Sequence, residues 1–225
     1  MKIGFISDVH ANLPALNAVL DDLQNVDRIV HAGDIVGYNA FPSEVIEYFQ
    51  EQNVDSIIGN HDRSVTNDGE FDFPTPAKKV IDWTRDELSD QHKKFISQLP
   101  TELRLEINNY TIHVVHGSPF KPNEYIYPTD LTLELVEKLD EAIDVLIWGH
   151  THYPVVTNLN GVLLLNPGSV GQPRDGDWRA SYSVFDTCAG RVELRRQEYN
   201  IEKSVRRAKT ESFPQQVIDS LCQPD

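Results

Sequence analysis

Five short apolar runs, each broken off at a cluster of aspartate, asparagine or histidine, constrain this chain more than any other feature. The runs cover residues 3–7, 28–31, 54–58, 111–115 and 145–148. Each is too short for a helix, rich in β-branched residues and bounded by Gly, Asp or Asn, the pattern of a buried strand. They lead into Asp8-Val9-His10, Gly33-Asp34, Gly59-Asn60-His61-Asp62, His116-Gly117 and Gly149-His150-Thr151-His152. Between the early runs, Leu16, Val19, Leu20 and Leu23 predict a helix over 14–23, with Pro at its start. Val45, Ile46 and Phe49 predict another over 43–52, with Ser43 as its N-cap. Strand-helix alternation of this kind implies an α/β layered fold with right-handed crossovers. Open α/β sheets place ligands beyond the carboxyl ends of their strands, where all five clusters fall.

The later half changes character. Residues 102–107 and 111–115 flank Asn108-Asn109, 155–158 and 162–165 flank Leu159-Asn160-Gly161, and 181–185 and 191–197 flank Cys188-Ala189-Gly190. These read as hairpins and predict antiparallel strands in two contacting sheets. With no repeat, linker or low-complexity stretch, one domain over residues 1–225 is expected, with 210–225 either a loose tail or a terminal helix. Arg191, Arg195, Arg196, Lys203, Arg206, Arg207 and Lys209 gather near the C-terminus and read as a solvated strand-helix face.

Charge narrows the partners. Asp and Glu number 35 against 20 Lys and Arg, a net charge of −15. Such a chain repels polyanions and anionic lipid, which argues against duplex nucleic acid and against a membrane surface. The apolar start at 3–6 stops at Ser7-Asp8, too short for the core of a secretory signal, and no window approaches a membrane span. Cys188 and Cys222 lie far apart and outside any Cys-x-x-Cys pair, consistent with reduced thiols. A cytoplasmic protein is expected; self-association is left open.

Taken singly, the clusters say little. Asp-x-His occurs by chance and Gly-Asp is commonly a turn, whereas His-x-His sets two imidazoles on one strand face. Gly-Asn-His-Asp is more telling, because a dense polar group at a strand end needs partners or ions. Four imidazoles, two carboxylates and an amide form a mixed nitrogen and oxygen donor set. That set suits Mn, Fe, Zn, Co or Ni and is too nitrogen-rich for Ca or Mg. No Gly-x-Ser-x-Gly elbow, Walker A loop or His-x-His-x-Asp-His motif points elsewhere.

Asp8-x-His10, Gly33-Asp34, Gly59-Asn60-His61-Asp62, His116-Gly117 and Gly149-His150-x-His152 together resemble the five motif blocks of the calcineurin-like metallophosphoesterase superfamily. Asn166-Pro167-Gly168-Ser169 and the segment from Gly171 to Gly176 further resemble its small bacterial and archaeal phosphodiesterase branch. The resemblance implies a four-layer α/β/β/α sandwich with two mixed sheets and a dinuclear metal site at the strand C-terminal rim. It implies that Asp8, His10, Asp34 and His152 hold one divalent transition-metal ion. Asp34, Asn60, His116 and His150 would hold the second, with Asp34 bridging and manganese the foremost candidate metal. A metal-bridging hydroxide would then attack a phosphodiester, with His61 as general acid and Asp62 orienting it and raising its pKa.

Arg174 and Arg63 are candidate phosphate clamps, and Asn12 a candidate support for the ligands, as is His31; His92 and His113 read as structural. The expected partner is a small phosphoester, admitted because two dications make the site locally positive. A phosphomonoesterase or nucleotide pyrophosphohydrolase on the same residues is the enzymatic alternative. A non-catalytic metal-binding scaffold is the other, and the presence of His61 with every ligand position favours an enzyme. The aromatics of segments 66–76 (Phe71, Phe73) and 120–128 (Phe120, Tyr125, Tyr127) either stack on a substrate or anchor their loops.

Overall fold

Central strands buried on both faces explain how the chain layers. The computed structural model describes residues 1–66 and 73–222; Phe71 lies outside them. In the first sheet β1 (Lys2–Ile6), β2 (Arg28–His31) and β3 (Asp55–Ser56) run parallel. The second sheet contains β4 (Glu102–Ile107), β5 (Tyr110–Val115), β6 (Val145–Ile147), β7 (Val155–Leu159) and β8 (Val162–Asn166), ordered β4-β5-β6-β8-β7. Its three central strands are parallel, and the hairpins β4–β5 and β7–β8 supply its antiparallel edges. Two further strands, β9 (Ala180–Asp186) and β10 (Arg191–Gln197), return antiparallel to the first sheet, giving the order β10-β9-β1-β2-β3.

One face of each sheet packs on the other: Ile3, Phe5, Val30 and Ile57 meet Ile112, Val114, Val145 and Ile147. The alternate residues face helices. On the first sheet these are α1 (Leu13–Asp22), α2 (Pro42–Glu51), α3 (Asn60–Thr66), α4 (Thr75–Glu87) and α5 (Asp90–Ser97). They bury Leu16, Val45, Phe49, Val65, Ile81 and Ile96 around Ile6. On the second sheet α6 (Leu133–Glu137) sets Val136 against Leu146, Leu164 and Trp148. Each such side chain contributes about 1.5–3 kcal/mol when fully buried. The result is the expected α/β/β/α order with two five-stranded mixed sheets.

Several local expectations need correction. Ser43 does not cap α2: the helix opens at Pro42, with Phe41 at the cap position and no side-chain cap bond. Proline suits that first turn because its missing N–H has no helical partner to lose. Only Asp55–Ser56 of the 54–58 run pairs as strand, since β3 lies at the sheet edge and the chain then turns into α3. Of the two alternatives for 210–225, the terminal helix is seen over Gln215–Cys222. After α7 (Ile201–Thr210), α8 (Gln215–Cys222) buries Val217, Ile218 and Leu221 with Phe213 against Ala40 and Val80. The basic residues nearby are mostly answered: Arg195 meets Asp22 at 2.8 Å and Glu193 at 2.7 Å, Arg196 meets Asp175, and Arg207 meets Glu211 at 3.3 Å. Among the described residues no helix is long and apolar enough to cross a membrane.

His31 ends β2 with its ring buried against Phe49 and its Nδ1 2.7 Å from Ser56 Oγ. Burial pushes its pKa from 6.5 down to about 3. The unfolded chain therefore gains a proton near pH 6.5 that the folded chain accepts only near pH 3. The stability this group confers is complete above pH 6.5 and is lost as pH falls through that window. Between pH 6 and 4, His31 alone is expected to lower the unfolding free energy by about 1.4 kcal/mol per pH unit. His31→Gln should remove that increment from the slope measured by urea unfolding; an unchanged slope would mean that the folded protein protonates His31 freely.

Candidate metal centre

The two sheets face one another with their parallel strands ending on a common rim, and the five polar clusters meet there. Asp8 and His10 follow β1, Asp34 follows β2, Asn60 and His61 open α3, His116 follows β5, and His150 and His152 follow β6. All are buried. His152 Nε2 lies 3.3 Å from Asp8 Oδ1 and 3.1 Å from His10 Nε2. His116 Nε2 lies 3.0 Å from Asn60 Oδ1 and 3.3 Å from Asp34 Oδ2. The same Asp34 oxygen is 3.8 Å from His10 Nε2, so one carboxylate oxygen stands between two donor groups. Asp8, His10 and His152 on one side, and Asp34, His116 and His150 on the other, each converge closely enough to hold a metal ion.

Ring orientation fits such an ion. His10 Nδ1 donates to Val36 O at 3.1 Å, His116 Nδ1 to Ala32 O at 2.8 Å and His152 Nδ1 to Gln172 O at 2.5 Å. With Nδ1 carrying the proton, each Nε2 presents a lone pair inward, the arrangement that metal-ligating histidines adopt. Asp34 Oδ1 accepts the His61 N–H at 2.9 Å, which reserves Oδ2 for the site. Among the described residues, Asp8 Oδ1 and His150 Nε2 are buried with no hydrogen-bond partner. Lone pairs facing one another at hydrogen-bond distance repel unless a cation lies between them. Burial lowers His116, but Asp34 and Asp8 overrule it and hold the ring up at about 9. A site that draws a proton this strongly draws a divalent ion to the same atoms. The residues therefore fit divalent metal.

The backbone pays attention to this geometry at a cost in strain. Asp8, His10, Asp34, His150 and His152 all have left-handed φ, between 48° and 64°. Each such non-glycine residue costs about 1–3 kcal/mol and persists only where its surroundings fix it. Here Asp62 accepts the N–H groups of Asp34, Ile35, Val36 and Gly59 at 2.9–3.2 Å. Asn166 donates to Gly149 O and Thr151 Oγ1, and Ser169 Oγ to Asp8 O. The Asn166-Pro167-Gly168-Ser169 motif thus clamps two ligand loops. Gly37 (φ 132°) is required for closeness: a Cβ there would sit 2.6 Å from His10 Nδ1 and 2.7 Å from His61 Nδ1.

Asp62 is consequently a correction. Its carboxylate faces those backbone donors and not the His61 ring, so it ties the Asp34 loop to Gly59 rather than orienting the imidazole. Burial and the Asp34 charge push Asp62 itself up to about 7. His61 is pushed down to about 4 by burial, the reverse of the expected direction. Its ring stands in the cleft between Tyr38 at 4.8 Å, His10 at 4.7 Å and Phe73 at 4.7 Å.

Arg174 lines the same cleft, with Nη2 3.0 Å from the Tyr38 hydroxyl. Arg63 lines a neighbouring cavity instead, together with Asn60 and His116. Asn12 supports from further back than expected, capping α1 through Ala15 N and reaching Gly171 O at 3.0 Å and Ser204 Oγ at 2.8 Å. Tyr125 stacks on His150, with ring centroids 4.0 Å apart, and on Tyr127 at 5.7 Å, so it packs against its own neighbours. Tyr38 and Gln172 escaped sequence reasoning, since nothing local marks a tyrosine or a backbone carbonyl as a neighbour of His10 or His152.

Comparison with known proteins agrees with this geometry. Residues 1–190 match the calcineurin-like phosphoesterase superfamily domain. The uncharacterized protein MJ0912 of Methanocaldococcus jannaschii is 35% identical, covering 97% of this chain and 96% of its own. Phosphodiesterase MJ0936 of the same organism is 30% identical over 75% of this chain and 83% of its own. A crystal structure of a metallophosphoesterase from Sphaerobacter thermophilus aligns over 100% of both chains, with a TM-score of 0.85 and 35% identity. Matching fold, motif residues and a rim of converging metal donors lead to one conclusion: the chain belongs to the calcineurin-like phosphoesterase superfamily and is a metallophosphoesterase.

Proposed function

We propose that this protein hydrolyses phosphodiester bonds in a small substrate, using two divalent transition-metal ions, manganese foremost. The observation that carries the reading is Asp34 Oδ2, which stands between the His10 and His116 donor groups as a shared ligand would. Asp8, His10, Asp34 and His152 would hold one ion, and Asp34, Asn60, His116 and His150 the other. Two such ions supply an activated water and polarise the phosphoryl oxygens.

The chain's own groups do the rest. Arg174, steadied by the Tyr38 hydroxyl, keeps guanidinium N–H groups for a phosphate oxygen in the cleft. His61 lines that cleft and would protonate the departing oxygen. Burial alone leaves the ring neutral, and an anionic phosphoester beside it favours the imidazolium, supplying the proton. A diester is favoured over a monoester because cavities open on both sides of Asn60 and Asn123, room for two ester groups.

A panel of phosphoesters tests the reading. Manganese-loaded protein is expected to cleave bis(p-nitrophenyl) phosphate at least about tenfold faster than p-nitrophenyl phosphate. Chelation should lower that rate at least about a hundredfold, and manganese should restore it. Undiminished hydrolysis after verified metal removal would falsify the metal-dependent mechanism; a monoester preference would replace diester by monoester as the substrate class.

A further inference from the structure

Beside the metal donors the rim holds a second cavity of about 220 Å³, walled by Asn60, Arg63, His116, Ser118, Lys121 and Asn123. The cleft of His61 and Arg174, about 240 Å³, shares Asn60 and Asn123 with it, so the two cavities adjoin across the proposed second metal position.

Arg63 is half-buried in this second cavity, and among the described residues its guanidinium forms no hydrogen bond or ion pair. Arg28, Arg85, Arg104, Arg179, Arg195 and Arg196 each meet a carboxylate. In a chain of net charge −15, a sheltered arginine left without an anion is set apart. Glu102 on the same wall is already held by His113 at 2.8 Å. Lys121 adds a second cation, only loosely held by Glu124 at 3.9 Å. A planar guanidinium fork in a confined cavity matches phosphate geometry.

We infer that this cavity is an anion subsite that takes a second phosphate carried on the retained side of the substrate. The inference rests on the phosphodiesterase reading. His61 lines the other cavity, so the leaving group departs there and the group that stays on phosphorus extends past Asn60 toward Arg63. The substrate class is a phosphodiester whose retained alcohol bears a further phosphate, such as a nucleoside bisphosphate ester.

Two thymidine 5′-(p-nitrophenyl phosphate) esters, with and without a 3′-phosphate, share one leaving group and isolate the effect. On manganese-loaded protein the 3′-phosphorylated ester should show a KM about tenfold lower, and Arg63→Gln should erase that preference. Binding supplies a readout independent of turnover. By calorimetry, thymidine 3′,5′-bisphosphate should bind about tenfold tighter than thymidine 5′-monophosphate to wild type, and equally to Arg63→Gln. Equal affinity of wild type for both ligands, or a preference that survives Arg63→Gln, overturns the subsite. Preferential binding without hydrolysis of either ester would keep the subsite and overturn the phosphodiesterase reading instead.

Discussion

Asp34→Asn is expected to empty both metal positions together and to slow phosphodiester hydrolysis by at least about a thousandfold, roughly 4 kcal/mol of transition-state stabilisation. The substitution is nearly isosteric. Its carbonyl oxygen can still accept the His61 N–H that Asp34 Oδ1 accepts at 2.9 Å, so the loop keeps its anchor. The other terminus changes character. An amide NH₂ in place of Oδ2 would donate toward His116 Nε2 and His10 Nε2, now 3.3 Å and 3.8 Å away, and so occupy the lone pairs that hold the ions. Elemental analysis of the purified variant should find neither ion at wild-type occupancy. Two full equivalents of metal, or loss of one only, would show that Asp34 is not shared.

His61→Ala separates protonation from metal binding. Alanine retains the backbone N–H to Asp34, so metal content should stay at the wild-type level. An alkyl leaving group departs as a strongly basic oxyanion and needs a proton in the transition state; p-nitrophenolate does not. The variant should lose about a thousandfold in kcat on an alkyl diester and less than about tenfold on an aryl diester. Equal losses on both would remove His61 from the proton-transfer role and leave it as packing between Tyr38 and Phe73.

Much of the fold and most of the site could be read from sequence because the informative residues are contiguous. A strand and the polar cluster that follows it occupy adjacent positions, so Asp8-x-His10 or Gly149-His150-x-His152 announces both an element and its function. The hairpins β4–β5 and β7–β8 were equally legible, since Asn108, Asn160 and Gly161 adopt the positive φ that their turns require. Helices α4 and α5 were not. Their buried faces are sparse, with Ala77, Val80, Ile81 and Thr84 in one and Ile96 in the other, set among charged residues that mask the period. The expected role of Asp62 failed for a different reason, and the contact of Arg174 with Tyr38 was not legible. Adjacency placed Asp62 beside His61, yet α3 turns its carboxylate to the Asp34 loop, and Arg174 finds Tyr38 across 136 residues of chain.

The strand order carries a consequence for biosynthesis. β1 lies between β2 and β9, so Lys2–Ile6 cannot complete its pairing until residues 180–186 have left the ribosome. Every proposed metal donor is made by residue 152, but two of the groups that fix Asp8 come later: Ser169 Oγ and Gly171 N on its carbonyl. A nascent chain paused after His152 thus carries the full donor set on an unfinished scaffold, with one edge of its first strand bare and open to wrong partners. The pairing of β1 with β9 is thus a long-range closure, the kind of contact that slows folding.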